Sequence, residues 1–221
     1  MRRCWQSGVD FVYLDLGYLR SGHFNGYYRV CWNGLHSALE HEPDYRRLLA
    51  LKIPVADKDE ANRLDPVLVV EPSAWIGRFF GFEPQAWTSR VVQMLMDTCP
   101  QRQVLVSRKG DGVAASELAR CWAVVTLQSN IAVAAVAMAK PVFIVKMGVD
   151  AKCRHPAEWF GNTDLRAIDQ PERADKKIRS LWLAKLAACQ FTLREFETGV
   201  AWRWLERNYG TDDGEDPALL A

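Results

Sequence analysis

No window of this 221-residue chain approaches the roughly 18 uncharged apolar residues of a membrane-spanning helix. The opening Met1-Arg2-Arg3-Cys4-Trp5-Gln6 has two arginines but not the apolar stretch that follows them in a signal peptide. No integral membrane segment is expected, and a cytoplasmic location follows by default. An excess of one charge is missing too: 28 Lys+Arg against 27 Asp+Glu leave +1. That balance disfavours affinity built on neutralising many nucleic-acid phosphates, although a local basic groove would not register in the total. Six cysteines (Cys4, Cys31, Cys99, Cys121, Cys153, Cys189) include no CxxC, and most stand beside apolar residues, as core-filling thiols do. GxGxxG and Walker-type Gly-Lys-Ser/Thr fingerprints are absent, which counts against dinucleotide-dependent redox chemistry and P-loop hydrolysis. No Asp-x-Asp pair stands in a strand-end loop, so no metal site is expected. What remains is an ordinary globular composition, 49% hydrophobic and 25% charged. The length suits one enlarged domain or a domain with an appendage.

Apolar runs and punctuation order the chain. Phe11-Val12-Tyr13-Leu14-Asp15-Leu16 reads as a buried strand, followed by a long Gly-, Tyr- and His-rich loop over 17–34 and a connecting region over 35–63. From Asp65-Pro66 the texture becomes strand, loop, helix. Strands are expected at Val67-Leu68-Val69-Val70, Val104-Leu105-Val106, Ala123-Val124-Val125-Thr126-Leu127 and Pro141-Val142-Phe143-Ile144-Val145. Helices are expected over 74–80, 84–98, 114–122 and 131–139. Strands that hardly alternate are buried on both faces, the habit of a parallel sheet covered by helices. The chain ends in helices over 173–190 and 192–208, which Gly199 kinks or divides, and an acidic, Gly-rich tail. Trp202 and Trp204 read as a packing face.

In open parallel sheets, ligands bind beyond the carboxyl ends of the strands. Four stretches should share that edge: 17–29, Glu71-Pro72-Ser73, Ser107-Arg108-Lys109-Gly110 and Gln128-Ser129-Asn130. Ser129 or Asn130 stands where an N-cap belongs, and the N–H groups of the following turn suit an anion; Ser73 is a similar candidate. Arg108 and Lys109 could grip a diphosphate, one by forked hydrogen bonds and the other as a compact charge. Asp15 and His23 fall near the same edge, and either could take a proton. His155, after the last strand, is a further candidate for lining the cleft.

The block Trp122-Ala123-Val124-Val125-Thr126-Leu127-Gln128-Ser129-Asn130 through Lys140-Pro141-Val142-Phe143 resembles the sugar-nucleotide half of GT-B glycosyltransferases of the capsule or surface-polysaccharide type. Asp15-Leu16-Gly17-Tyr18-Leu19-Arg20-Ser21 is similar to the Asp-Gly-Phe-Leu-Arg-Ser stretch of the same proteins. Related-looking phage sequences extend the range of acceptors to a modified DNA base. The resemblance implies an α/β fold, with a Rossmann-like parallel sheet (the C-terminal half of a GT-B fold), an N-terminal partial domain and C-terminal helices. It implies a partial acceptor-side segment over 1–65, a nucleotide-sugar-binding domain with C-terminal helices over 66–208, and a frayed tail over 209–221. Ser73, Arg108, Lys109, Ser129 and Asn130 would hold the donor diphosphate, and the base would be Asp15 or His23. The donor nucleotide-sugar is a substrate, and no cofactor is implied.

A GT-B enzyme has two Rossmann-like domains, so the resemblance leaves three alternatives, a fragment, a shortened member or an inactive relative, with a missing N-terminal domain or a homo-oligomer among the partners it allows. The helix over 131–139 lacks the acid that the family carries in its donor-binding helix. The leading expectation is transfer of a sugar from a nucleotide donor to a hydroxyl acceptor, either a glycan or modified DNA. The alternatives are a non-catalytic sugar-nucleotide or nucleic-acid binding module and a sugar-nucleotide epimerase of the same architecture.

Overall fold

The computed structural model describes residues 2–20, 26–62, 64–147 and 154–210; His23, Cys153 and the tail from 211 onward lie outside them. A short helix α1 (Arg2–Ser7) precedes a hairpin of β1 (Val12–Leu16) and β2 (Tyr27–Trp32), then α2 (Tyr45–Leu51). There follow β3 (Val67–Val70), α3 (Ala74–Phe80), α4 (Pro84–Thr98), β4 (Val104–Ser107), α5 (Val113–Glu117), β5 (Ala123–Thr126), α6 (Ile131–Ala137) and β6 (Val142–Ile144). Two 3-10 turns, Pro156–Phe160 and Leu165–Ala167, lead to α7 (Lys176–Ala188), β7 (Gln190–Thr192), α8 (Leu193–Glu197) and α9 (Val200–Tyr209).

Strands β3 to β6 form a parallel sheet in the order β4-β3-β5-β6. The protein is therefore α/β, with a Rossmann-like parallel sheet. Successive side chains on a strand point to opposite faces, and here both faces are covered. Leu68, Val70, Val124 and Ile144 pack with Ala132 and Val136 of α6 and with Trp182 and Leu186 of α7. Val67, Val69, Val125 and Phe143 pack with Trp87, Val91 and Leu95 of α4. Burial of a Val, Leu or Ile side chain contributes roughly 1.5–3 kcal/mol, so strands apolar at every position are the stable choice for this middle layer. Pro84 opens α4 where its missing N–H costs nothing, and the Trp87, Val91, Leu95 stripe faces the sheet.

A second sheet, β1-β2-β7, is antiparallel, with Asp15 opposite Arg29 and Tyr28 opposite Phe191. This departs from the sequence expectation at one point, since residues 27–32 form a strand rather than loop. The Gly-rich stretch before Tyr27 and the buried Arg29 hide an otherwise strand-like Tyr-Tyr-Arg-Val-Cys-Trp run. Gly17 makes the hairpin closable: its N–H meets Tyr27 O at 2.7 Å, and a Cβ there would lie 2.8 Å from that oxygen. Gln190 fastens the chain just beyond, its side chain accepting from Leu19 N and donating to Leu19 O, each at 3.0 Å.

The connecting region contains α2, whose Leu48 and Leu51 join Tyr18, Leu19 and Leu39 in the same core as Leu68 and Leu183. The C-terminal helical stretch breaks into α8 and α9 at Gly199, which has φ 74°. The expected 114–122 helix is shorter, ending at Glu117. Cys31, Cys99, Cys121 and Cys189 are buried thiols. Trp204 packs against Phe191, whereas Trp202 is 44% exposed. Among the described residues, no helix is long and apolar enough to cross a membrane.

Candidate functional site

A cleft of about 690 Å³ opens at the carboxyl ends of β3, β4 and β5. From β3 the chain passes to β4 on one side and then to β5 on the other. The β3–β5 boundary is thus the point where strand order reverses, the place at which open α/β sheets bind ligands. The volume lies in the range of small-molecule sites, about 300–1,000 Å³.

Each strand contributes its following turn. After β4, Asp111 organises the basic loop: its carboxylate accepts from Arg108 N at 2.5 Å, Val113 N at 2.9 Å and the Ser107 hydroxyl at 3.0 Å. These bonds hold the Asp111 carboxyl below the usual carboxylate range, the Arg108 N–H being the largest cause. The loop backbone is fixed while Arg108 and Lys109 remain exposed at the rim. After β3 comes Glu71, with its N–H bonded to Ser107 O at 2.9 Å and its carboxylate 3.6 Å from Arg108 Nε. Its Oε2 is buried with no hydrogen-bond partner among the described residues. Ser73 caps α3, accepting from Ile76 N at 3.3 Å.

The turn after β5 differs from the expected open helix terminus. Asn130 occupies the N-cap position with helical backbone and makes no side-chain cap. The first N–H groups are taken locally: Ile131 N by Ser129 Oγ at 3.4 Å, Ala132 N by Ser129 O at 3.1 Å and Val133 N by Asn130 O at 3.0 Å. A tight opening turn satisfies the donors that an anion would otherwise meet. The Asn130 side chain instead faces the antiparallel sheet, accepting from Arg29 Nη1 at 2.7 Å and donating to Gly17 O at 3.4 Å.

That opposite wall is a buried polar cluster. Arg29, 5% exposed, bonds Asp15 Oδ2 at 2.7 Å and lies 4.9 Å from the Tyr18 ring centre. Asp15 also accepts from the Tyr13 hydroxyl at 3.0 Å and from Leu16 N at 2.8 Å. Burial, with the Asp15 charge behind it, pushes the Tyr13 phenol up to about 12. His36 lies 3.2 Å from the Tyr18 hydroxyl and packs against the edge of His155 at 4.6 Å. Burial, and then the Arg29 charge, lower both imidazoles, His36 well below its ordinary value and His155 to about 3. His155 Nδ1 accepts from Ala157 N, so its neutral ring carries the proton on Nε2.

Asp15, Ser73, Arg108, Lys109, Ser129 and Asn130 all line this single cleft, whereas His23 lies outside the described residues. His155 sits behind the wall rather than among the lining residues. Lys140, from the Lys-Pro-Val stretch, is at the opposite end of the strands, buried against Asp59 at 2.8 Å. Sequence reasoning did not single out Arg29, His36, Glu71, Tyr13 or Trp75, which also line the cleft. Glu71 could have been found, because it directly follows an apolar strand at the edge where the other candidates gather. Arg29 and His36 gave no comparable signal, since their positions depend on a pairing that periodicity does not reveal.

Among known proteins, no family model and no curated protein matches this chain. The site's chemistry therefore rests on its geometry.

Proposed function

We propose that the cleft binds a nucleotide-sugar and that the protein is a GT-B-like glycosyltransferase. The observation that carries this reading is the gathering of Arg108, Lys109, Ser73, Ser129 and Asn130 with Asp15 around one cleft at the switch point. A diphosphate at the Arg108–Lys109 rim would be met by a guanidinium and an ammonium. As the bond from the sugar to the diphosphate breaks, negative charge grows on the leaving oxygen, and those cations lower the barrier by opposing it. The acceptor hydroxyl, on a glycan or a modified DNA base, loses its proton to Asp15 or His23 as it attacks the sugar carbon. The GT-B reading also calls for a second wall over the cleft, from another domain or a second copy of the chain.

One observation favours a second reading, binding without turnover. Both Asp15 oxygens are already engaged, by Leu16 N on one side and by Tyr13 and Arg29 on the other. An acceptor hydroxyl must displace one of these donors to reach the carboxylate, which favours a structural role for Asp15 in the wall. Calorimetry with UDP, ADP, GDP and CDP, combined with hydrolysis of the matching nucleotide-sugars, separates the readings. The transferase reading expects nucleotide binding and slow donor hydrolysis. Asp15→Asn would cut that turnover about 10²–10⁴-fold if Asp15 is the base. Binding with no turnover supports the module, and no nucleotide binding removes both.

A further inference from the structure

Glu71 leaves the central β3 strand at the reversal of strand order and lines the cleft, with its side chain 11% exposed. The hydrogen bond from its N–H to Ser107 O ties its backbone to β4, so the carboxylate is presented from sheet rather than from loose loop. One oxygen stands 3.6 Å from Arg108 Nε, beyond the range of a charge-assisted hydrogen bond, and the other has no partner among the described residues. The adjacent Ser107 hydroxyl donates to Asp111 instead. A buried carboxylate oxygen left without a donor is unfavourable, and native structures rarely keep one without a use. Arg108, its nearest cation, has a side chain 61% exposed and can turn toward an anion in the cleft.

We propose that Glu71 is the anchor for a vicinal diol on the ligand, accepting two adjacent hydroxyls while Arg108 turns to the ligand's phosphates. This rests on the nucleotide-sugar reading and names the part of the ligand that the cleft selects. A carboxylate accepts at both oxygens, and its broad terminal torsion allows both to face the cleft. Two neighbouring hydroxyls supply matching donors. Such a diol occurs in the ribose of the nucleotide and in the transferred sugar. A deoxy analogue would leave one carboxylate oxygen buried and unpaired, and sites built around a hydroxyl reject analogues lacking it more strongly than apolar pockets reject a missing methylene.

The test is calorimetry on the full chain and its Glu71→Gln variant, with inorganic pyrophosphate, UDP, 2′-deoxy-UDP, UDP-glucose and UDP-2-deoxyglucose as probes. If the ribose supplies the diol, UDP binds at least about tenfold tighter than 2′-deoxy-UDP; if the hexose does, UDP-glucose binds at least about tenfold tighter than UDP-2-deoxyglucose. In either case Glu71→Gln brings that ratio close to one, while pyrophosphate binds as well or better and the melting midpoint is unchanged. Nucleotide binding with neither ratio, or a ratio that survives in Glu71→Gln, overturns the diol anchor alone. Absence of nucleotide and pyrophosphate binding overturns the nucleotide-sugar reading with it.

Discussion

The guanidinium of Arg29, carried on the antiparallel hairpin, reaches the Asn130 side-chain oxygen at 2.7 Å in the turn after β5. Its other terminal nitrogen holds Asp15. One side chain therefore joins the two sheets at the point where the parallel strands reverse order, and the shape of the cleft depends on it.

Replacing Arg29 by alanine is expected to destabilise the fold by about 2–4 kcal/mol, because removing one partner of a buried pair leaves polar groups unmatched, and the partial exposure of Asp15 moderates the loss. Urea unfolding measures this directly. A change below about 0.5 kcal/mol, the level of an ordinary surface substitution, would contradict the bridging role.

The buried imidazoles give stability a definite pH dependence. Burial lowers His36, His41 and His155 in the folded state, His155 to about 3 from an ordinary 6.5. Well above pH 6.5 neither state is protonated at these rings, so they contribute no slope. Below it the unfolded chain takes up protons that the folded chain refuses, and stability falls as pH drops, continuing for His155 down to about 3. The slope is about 1.4 kcal/mol per pH unit for each such ring. Urea midpoints should be highest at pH 8, somewhat lower at pH 6.5, where the unfolded rings are half protonated, and clearly lower at pH 5. A midpoint that rises from pH 6.5 to 5 would count against neutral buried histidines.

At the other end of the sheet, Lys140 donates to Cys121 O at 3.0 Å and pairs with Asp59, which Arg173 also binds. Burial raises the Asp59 carboxyl, and the hydrogen bonds from Lys140, Ala61 N and Arg173 outweigh it, holding the group below its ordinary value. Lys140→Ala should cost about 2–3 kcal/mol, less than the loss of a sole partner, because Arg173 and Ala61 N still hold the buried Asp59 carboxylate. It should leave nucleotide affinity intact, because this cluster is remote from the cleft. Loss of ligand binding in a variant that remains folded would assign Lys140 to the site instead.

What the sequence reveals and what it hides divide along physical lines. The strands from Val67, Val104, Ala123 and Val142 are legible because burial on both faces leaves unbroken apolar runs, and the turns after the first three then point to one edge. The antiparallel sheet is not legible in the same way. β7 is three residues long between two helices and pairs with a strand far away in the chain, Tyr28 with Phe191, so no local period announces it. Arg29 and His36 become site residues through that pairing. Asn130 stands at the expected turn, but its side chain serves the contact between sheets, and the tight opening of α6 uses the backbone donors that a capping argument would leave for an anion.

The central claim, that the basic turn after β4 receives a diphosphate, is tested most directly by titrating the full chain and an Arg108→Ala/Lys109→Ala variant with a nucleoside diphosphate at fixed salt. Both side chains are exposed, so the variant should fold with an unchanged melting midpoint. The account expects measurable binding by the original chain and a loss of about 10- to 100-fold in the variant, on the scale of one or two charge-assisted contacts. Equal affinity in the two proteins, or no binding by the original chain, would contradict it.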